Sequence, residues 1–357
     1  MAEEFGTDTS LVRARRKDAL QVPPRLNLGS LRRGLLFSLA ISLAALGFLF
    51  TRRGLHLPPS ADPRFIFLAF AAMFLAWLAE ACRLQMMSSL LGGRLSFSAA
   101  LRIVLASTFA AAVTPLSSGQ GPLQIYLLHR RGQLSWGSAT ALFSVRTAFT
   151  SLLFSGTVPL LILYLGSGPW LPPVFLPPLL LASSAIAGFT VLFLALAGKP
   201  QLLRSLLLRT ARTRHLPRPW RRRLLRRLAQ EAQAFQLALP CLLRAPLGLL
   251  GQILALTALY WALYFLAAPF LWHALGVRLP WGQALAFQAV FNFALSHLPL
   301  PGGSGIAELG LSSAFSRWAG ADLAALFALL WRLVSYYFGL AAGGVALLWE
   351  MALEGKK

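Results

Sequence analysis

Acidic residues are scarce in this chain: 11 Asp and Glu stand against 33 Lys and Arg in 357 residues. All four aspartates (Asp8, Asp18, Asp62 and Asp322) fall in tails or between apolar runs. No acidic cluster is therefore available to hold the magnesium of a phosphotransferase. The two cysteines, Cys82 in an apolar run and Cys241 beside a basic loop, form neither a disulfide framework nor a Cys-x-x-Cys motif. A Gly-Lys-Ser/Thr phosphate loop and a His-Glu-x-x-His zinc motif are also missing. The chain is not expected to be an enzyme, and no cofactor or metal is expected.

What is abundant is apolar surface. The composition is 57% hydrophobic and 12% charged, more than a soluble domain of this size can bury. Apolar segments run over 34–50, 65–86, 101–113, 139–165, 171–197, 247–275, 284–298 and 323–348. The longer ones can cross a hydrocarbon core of about 30 Å. The net charge of +22 lies in tails and loops between these runs, as on the cytoplasmic side of a membrane protein, and does not imply nucleic-acid binding. Residues 1–33 read as a basic cytoplasmic tail.

Two segments, 101–113 and 284–298, are short and end in proline- and glycine-rich breaks. If the first crossed the membrane, the stretch 199–227, with eleven basic and no acidic residues, would lie outside, against the positive-inside rule. Re-entrant hairpins at 101–131 and 284–318 solve this. They give an all-α polytopic protein with about six spanning helices, both termini cytoplasmic and multi-pass in the cell membrane. The first half is 34–198 and the second is 245–350. A basic cytoplasmic loop, 199–244, joins them, and 351–357 forms a cytoplasmic tail. Within the loop, apolar residues at 224, 225, 228, 232 and 235 keep helical spacing, as in an amphipathic helix lying on headgroups.

The breaks are in register. Pro115 and Pro301, Gly119 and Gly305, and Arg146 and Arg332 are each 186 residues apart. In this topology the hairpins enter from opposite sides, so the duplication is an inverted repeat of the kind that builds transporters around a mid-membrane site. Arg146 and Arg332 are the leading candidates, because a guanidinium in an apolar helix needs an anion or a wet cavity and can grip a phosphate bidentately. An internal ion pair with Glu80, Glu308 or Glu350 is the alternative. Glu308 sits near a helix start, as a gating partner, a cap or the mate of Arg332. The amides around Gly119, Gly121, Gly303 and Gly305 are candidate anion donors. Secondary candidates are Asn292 beside Gln288, His297, and Glu80, whose neighbour Arg83 is an i,i+3 partner.

These motifs resemble a known family. Residues 119–132 (Gly-Gln-Gly-Pro-Leu-Gln-Ile-Tyr-Leu-Leu-His-Arg-Arg-Gly), Arg146, residues 299–308 (Pro-Leu-Pro-Gly-Gly-Ser-Gly-Ile-Ala-Glu) and Arg332 are similar to the flippase-like transmembrane family of lysylphosphatidylglycerol synthases, the UPF0104 group. The likeness spans roughly 30–350. It implies a lipid flippase or an accessory to lipid modification, without the soluble aminoacyltransferase domain that bifunctional relatives carry. Gly121 and Gln124 stand where relatives carry glutamate and arginine, so the first hairpin has lost a charged pair together, and Gln124 becomes a candidate contact. Ala307 replaces a frequent arginine.

The expected function is binding and translocation of a phosphate-bearing, anionic lipid, without an ATP motif. An intramembrane lipid-modifying enzyme, or a non-transporting partner recruiting a lipid synthase or glycosyltransferase through the basic loop, are the alternatives.

Overall fold

The computed structural model describes residues 28–53, 60–165, 176–197, 218–296 and 300–354, with the single residues 58, 174 and 199. Most of the basic tail, most of 199–217 and His297 lie outside the described residues. Every described element is helical: α1 Leu28–Arg53, α2 Pro63–Leu90, α3 Phe97–Val113, α4 Gln120–Gly132, α5 Trp136–Leu165, α6 Leu176–Ala197, α7 Arg218–Leu243, α8 Leu247–Ala274, α9 Trp281–Ser296, α10 Ile306–Ala319, α11 Ala321–Arg332 and α12 Phe338–Glu354. A π-helical turn, Leu333–Tyr337, joins α11 to α12. The chain is an all-α membrane protein.

Among the described residues, five helices are long and apolar enough to cross a membrane: α2, α5, α6, α8 and the continuous stretch Ala321–Leu353. The sixth span expected from the sequence, α1, has a shorter apolar stretch, Arg33–Phe48. Helices α3, of 17 residues, and α9, of 16 residues, reach only about 25 Å. Helix ends differ from the apolar runs because caps are polar. Ser96 accepts from Ala99 N at 3.3 Å and starts α3, while Asp62 caps α2 ahead of Pro63. Helix α1 begins at Leu28, within the tail read from the sequence, and α12 runs to Glu354, past the apolar run.

The 186-residue register is present in the backbone. Thr114 (φ −120°, ψ 143°) and Leu300 (φ −112°, ψ 135°) are extended, as a following proline demands. One residue past each proline the chain turns left-handed: Leu116 (φ 53°) and Ser117 (φ 53°) in the first break, Gly302 (φ 57°) and Gly303 (φ 63°) in the second. Helices α2–α5 and α8–α12 therefore follow one plan. Each half's short helix lies on the other half's long one, α3 on α12 and α9 on α5, and the two breaks touch. The α3–α12 approach uses the small residues Gly339, Gly343 and Gly344. A Cβ on Gly343 would overlap the Leu105 carbonyl.

Helix α7, inside the segment read as an amphipathic loop, docks on α5 through its second half. Ala238, Leu239 and Leu242 are buried, and Glu231 Oε2 accepts from Gly137 N at 2.7 Å. A carboxylate thus caps the positive N-terminal end of α5. Of the stripe expected to face headgroups, Leu228 is exposed, while Phe235, farther along, packs against the core.

The two breaks differ in what strains them. Leu116 is 56% exposed and buries little, so Leu116→Gly relieves a left-handed side chain and should raise stability by about 0.5–1 kcal/mol. A Cβ on Gly302 would overlap the Tyr336 ring, so Gly302→Ala should lower stability. Thermal unfolding in detergent reads both signs.

Candidate functional site

Among the described residues, three charged clusters lie between the helices. The first gathers Glu80 and Arg83 from α2, Gln124 from α4, Arg146 from α5 and Thr257 from α8. Arg146 Nε donates to Glu80 Oε1, and its Nη1 donates to Gln124 Oε1 at 2.7 Å. Arg83 Nη2 pairs with Glu80 Oε2 at 2.6 Å, and Nη1 donates to Thr257 Oγ1 at 2.7 Å. Glu80 and Arg83 are fully buried, and Arg146 is nearly so. Two guanidiniums thus share one carboxylate. Arg83 Nε and Gln124 Nε2 are buried donors with no acceptor, each an unmade hydrogen bond costing about 1–3 kcal/mol.

The second cluster is balanced. Arg332 Nε lies 2.9 Å from Glu308 Oε1. Its Nη1 donates to Gly302 O at 2.9 Å and its Nη2 to Ser304 Oγ at 3.2 Å, while the guanidinium stacks 3.9 Å above the Tyr336 ring. Glu308 also accepts from Gly305 N at 2.7 Å and from Ser42 Oγ, which lies 2.6 Å from Tyr337 OH. A carboxylate therefore sits in a cradle of guanidinium, backbone amide and hydroxyl. Glu308 caps α10 and pairs with Arg332 at once. The Tyr336 hydroxyl reaches Ala112 O at 3.3 Å, linking the second cluster to the end of α3. The π-turn that carries both tyrosines is a form frequent at functional sites.

The third cluster is Glu350 of α12, paired with Arg102 of α3 at 2.6 Å and with Arg131 of α4. It ties both arms of the first hairpin to the last helix.

Among the sequence candidates, the fold brings Arg146, Glu80 and Gln124 together, and separately Arg332, Glu308 and Gly305. The two arginines have different partners. The hairpin amides are largely committed: Gly119 N donates to Thr114 Oγ1 at 2.9 Å and Gly303 N to Leu300 O at 3.1 Å. Gly121 lies against Phe143, which a Cβ there would meet at 3.0 Å. Asn292 lines a cavity between α5, α6, α8 and α9. Sequence reasoning had Arg83 only as a local mate of Glu80 and missed Ser42, Thr257, Tyr336 and Tyr337. The spacing of Tyr336, one turn after Arg332, was the one available signal.

These features define a polytopic helical membrane protein with charged clusters at two broken helices. The chain belongs to the family of the lysylphosphatidylglycerol synthase transmembrane region, whose model matches residues 35–343. It is similar to a UPF0104 membrane protein of Archaeoglobus fulgidus, 24% identical over 317 residues, covering 88% of this chain and 94% of the relative. No solved structure matches the chain.

Removing one partner of a buried ion pair strands the other, at about 3–5 kcal/mol, whereas removing both is far milder. Glu308→Ala should therefore unfold at a much lower temperature than wild type, and Glu308→Ala with Arg332→Leu should recover most of the loss. A double-mutant cycle in detergent measures the coupling.

Proposed function

We propose that this protein binds an anionic, phosphate-bearing lipid and carries it across the cell membrane. The observation that carries this reading is the imbalance of the first cluster: the guanidiniums of Arg83, buried, and Arg146, mostly buried, share one carboxylate, and Arg83 Nε and Gln124 Nε2 find no acceptor. A surplus cation at membrane depth asks for an anion, and a phosphate offers several oxygens to such a fork of donors. The second cluster supports the same reading, because Glu308 fills its cradle as a phosphate would. The name of the family model, taken from a lipid-modifying synthase, supports a lipid as ligand.

In this reading both termini are cytoplasmic, the hairpins enter from opposite faces, and Glu308 governs access to Arg332. Rocking of the halves about the touching breaks would expose the clusters alternately. Losing one charge-assisted contact should cost about 1.5–3 kcal/mol of phosphate binding, at least tenfold in affinity.

The test is a vesicle assay with purified protein and fluorescent phosphatidic acid beside fluorescent phosphatidylcholine. Wild type should move phosphatidic acid faster. Arg83→Gln and Arg146→Gln, checked for folding, should slow that movement at least tenfold. Equal rates for both lipids, or undiminished rates in both variants, would overturn the proposal.

A further inference from the structure

One turn beyond Arg146 on α5, on the same helical face, lies a cavity that the ion pairs do not use. Its volume is about 180 Å³, many times the roughly 10–15 Å³ that one water needs. Thr150 and Ser151 of α5 and Asn292 and Ser296 of α9 supply its polar wall. No lining residue is charged, so nothing in the wall offers a second phosphate or an ammonium group its counter-charge.

Trp261 Nε1, on the α8 wall, is a buried donor without an acceptor. The hydroxyls and the amide around the cavity both donate and accept, and a ligand that answers them and the indole must do the same, which is what a hydroxyl does. The rest of the wall is aromatic: Trp261 meets Phe154 edge-on at 4.6 Å, and Phe154 stacks with Phe293 at 6.3 Å. Flat apolar rings beside hydroxyl and amide groups suit a ring that is apolar on its faces and polar at its rim. The α6 wall is Ile186, on a helix otherwise mostly turned outward, so the cavity sits beside the lipid-facing surface.

We propose that this cavity receives a neutral polyhydroxylated ring, of the sugar or cyclitol class, carried on the lipid phosphate held by the first cluster. This rests on the phosphate reading above. One helical turn, about 5.4 Å, separates Arg146 from Thr150, a span suited to a phosphodiester and the ring it bears.

Native mass spectrometry of the full chain, equilibrated with equal phosphatidylinositol, phosphatidic acid and phosphatidylcholine, tests it. Wild type should retain phosphatidylinositol about tenfold over phosphatidic acid, and both over phosphatidylcholine. In the Trp261→Phe, Asn292→Leu double variant, and more gently in Thr150→Val, the ratio of phosphatidylinositol to phosphatidic acid should fall toward one. Equal retention of the two anionic lipids by wild type, or an unchanged ratio in both variants, overturns the headgroup assignment and leaves the phosphate reading standing. Phosphatidic acid retained no better than phosphatidylcholine overturns the phosphate reading and this inference with it. Displacement of phosphatidylinositol by soluble inositol 1-phosphate assigns the cavity to a free ligand and overturns the lipid assignment.

Discussion

A guanidinium inside a hydrocarbon slab has no water to turn to, and the architecture is arranged around that constraint. Arg83, Arg146 and Arg332 each sit on a helix that must be apolar to insert, and each is met by an acid from another turn or another helix. Meeting them requires α2, α4, α5 and α8 to converge at one point, and α1, α10 and the π-turn at another. The helices are therefore held in place as much by charge neutralisation as by apolar packing, because hydrocarbon offers helices little hydrophobic reason to prefer each other over lipid.

The halves share a backbone plan but divide its cost differently. The second break takes its left-handed turn with glycines at 302 and 303; the first takes the same turn with Leu116 and Ser117. The second is largely buried and touches α1, while Pro115 to Ser118 of the first are exposed. The replacements at 121 and 124, visible in the sequence, bear on this asymmetry. Gln124 keeps a hydrogen bond to Arg146 without adding charge, and Gly121 leaves room for Phe143.

Much of the fold was legible because membrane insertion writes itself into composition. Apolar runs located the long helices, and proline joined to glycine at 115–121 and 301–305 located the breaks; proline alone would not have, since Pro159, Pro240 and Pro269 lie inside helices. The 186-residue register, read from a few residues, reappears in φ and ψ. The partners were harder. Glu308 was short-listed from its place at a helix start and Glu80 from its i,i+3 neighbour Arg83, with few other acids to choose from. Ser42 bonds a residue 266 positions away, and the Arg83–Thr257 contact spans 174; no local pattern encodes either. The docking of the second half of α7 on α5 was not legible, because the buried Ala238, Leu239 and Leu242 lie beyond the stripe that the sequence displays.

Tyr336 touches everything at the centre: its hydroxyl holds the end of α3, its face carries Arg332, and its edge fills the space above Gly302. Such a residue makes the two breaks thermodynamically reciprocal. Whatever free energy a disturbance at one break transmits to the other, a disturbance at the second returns in equal measure. A ring that belongs to both halves therefore couples each break to the other.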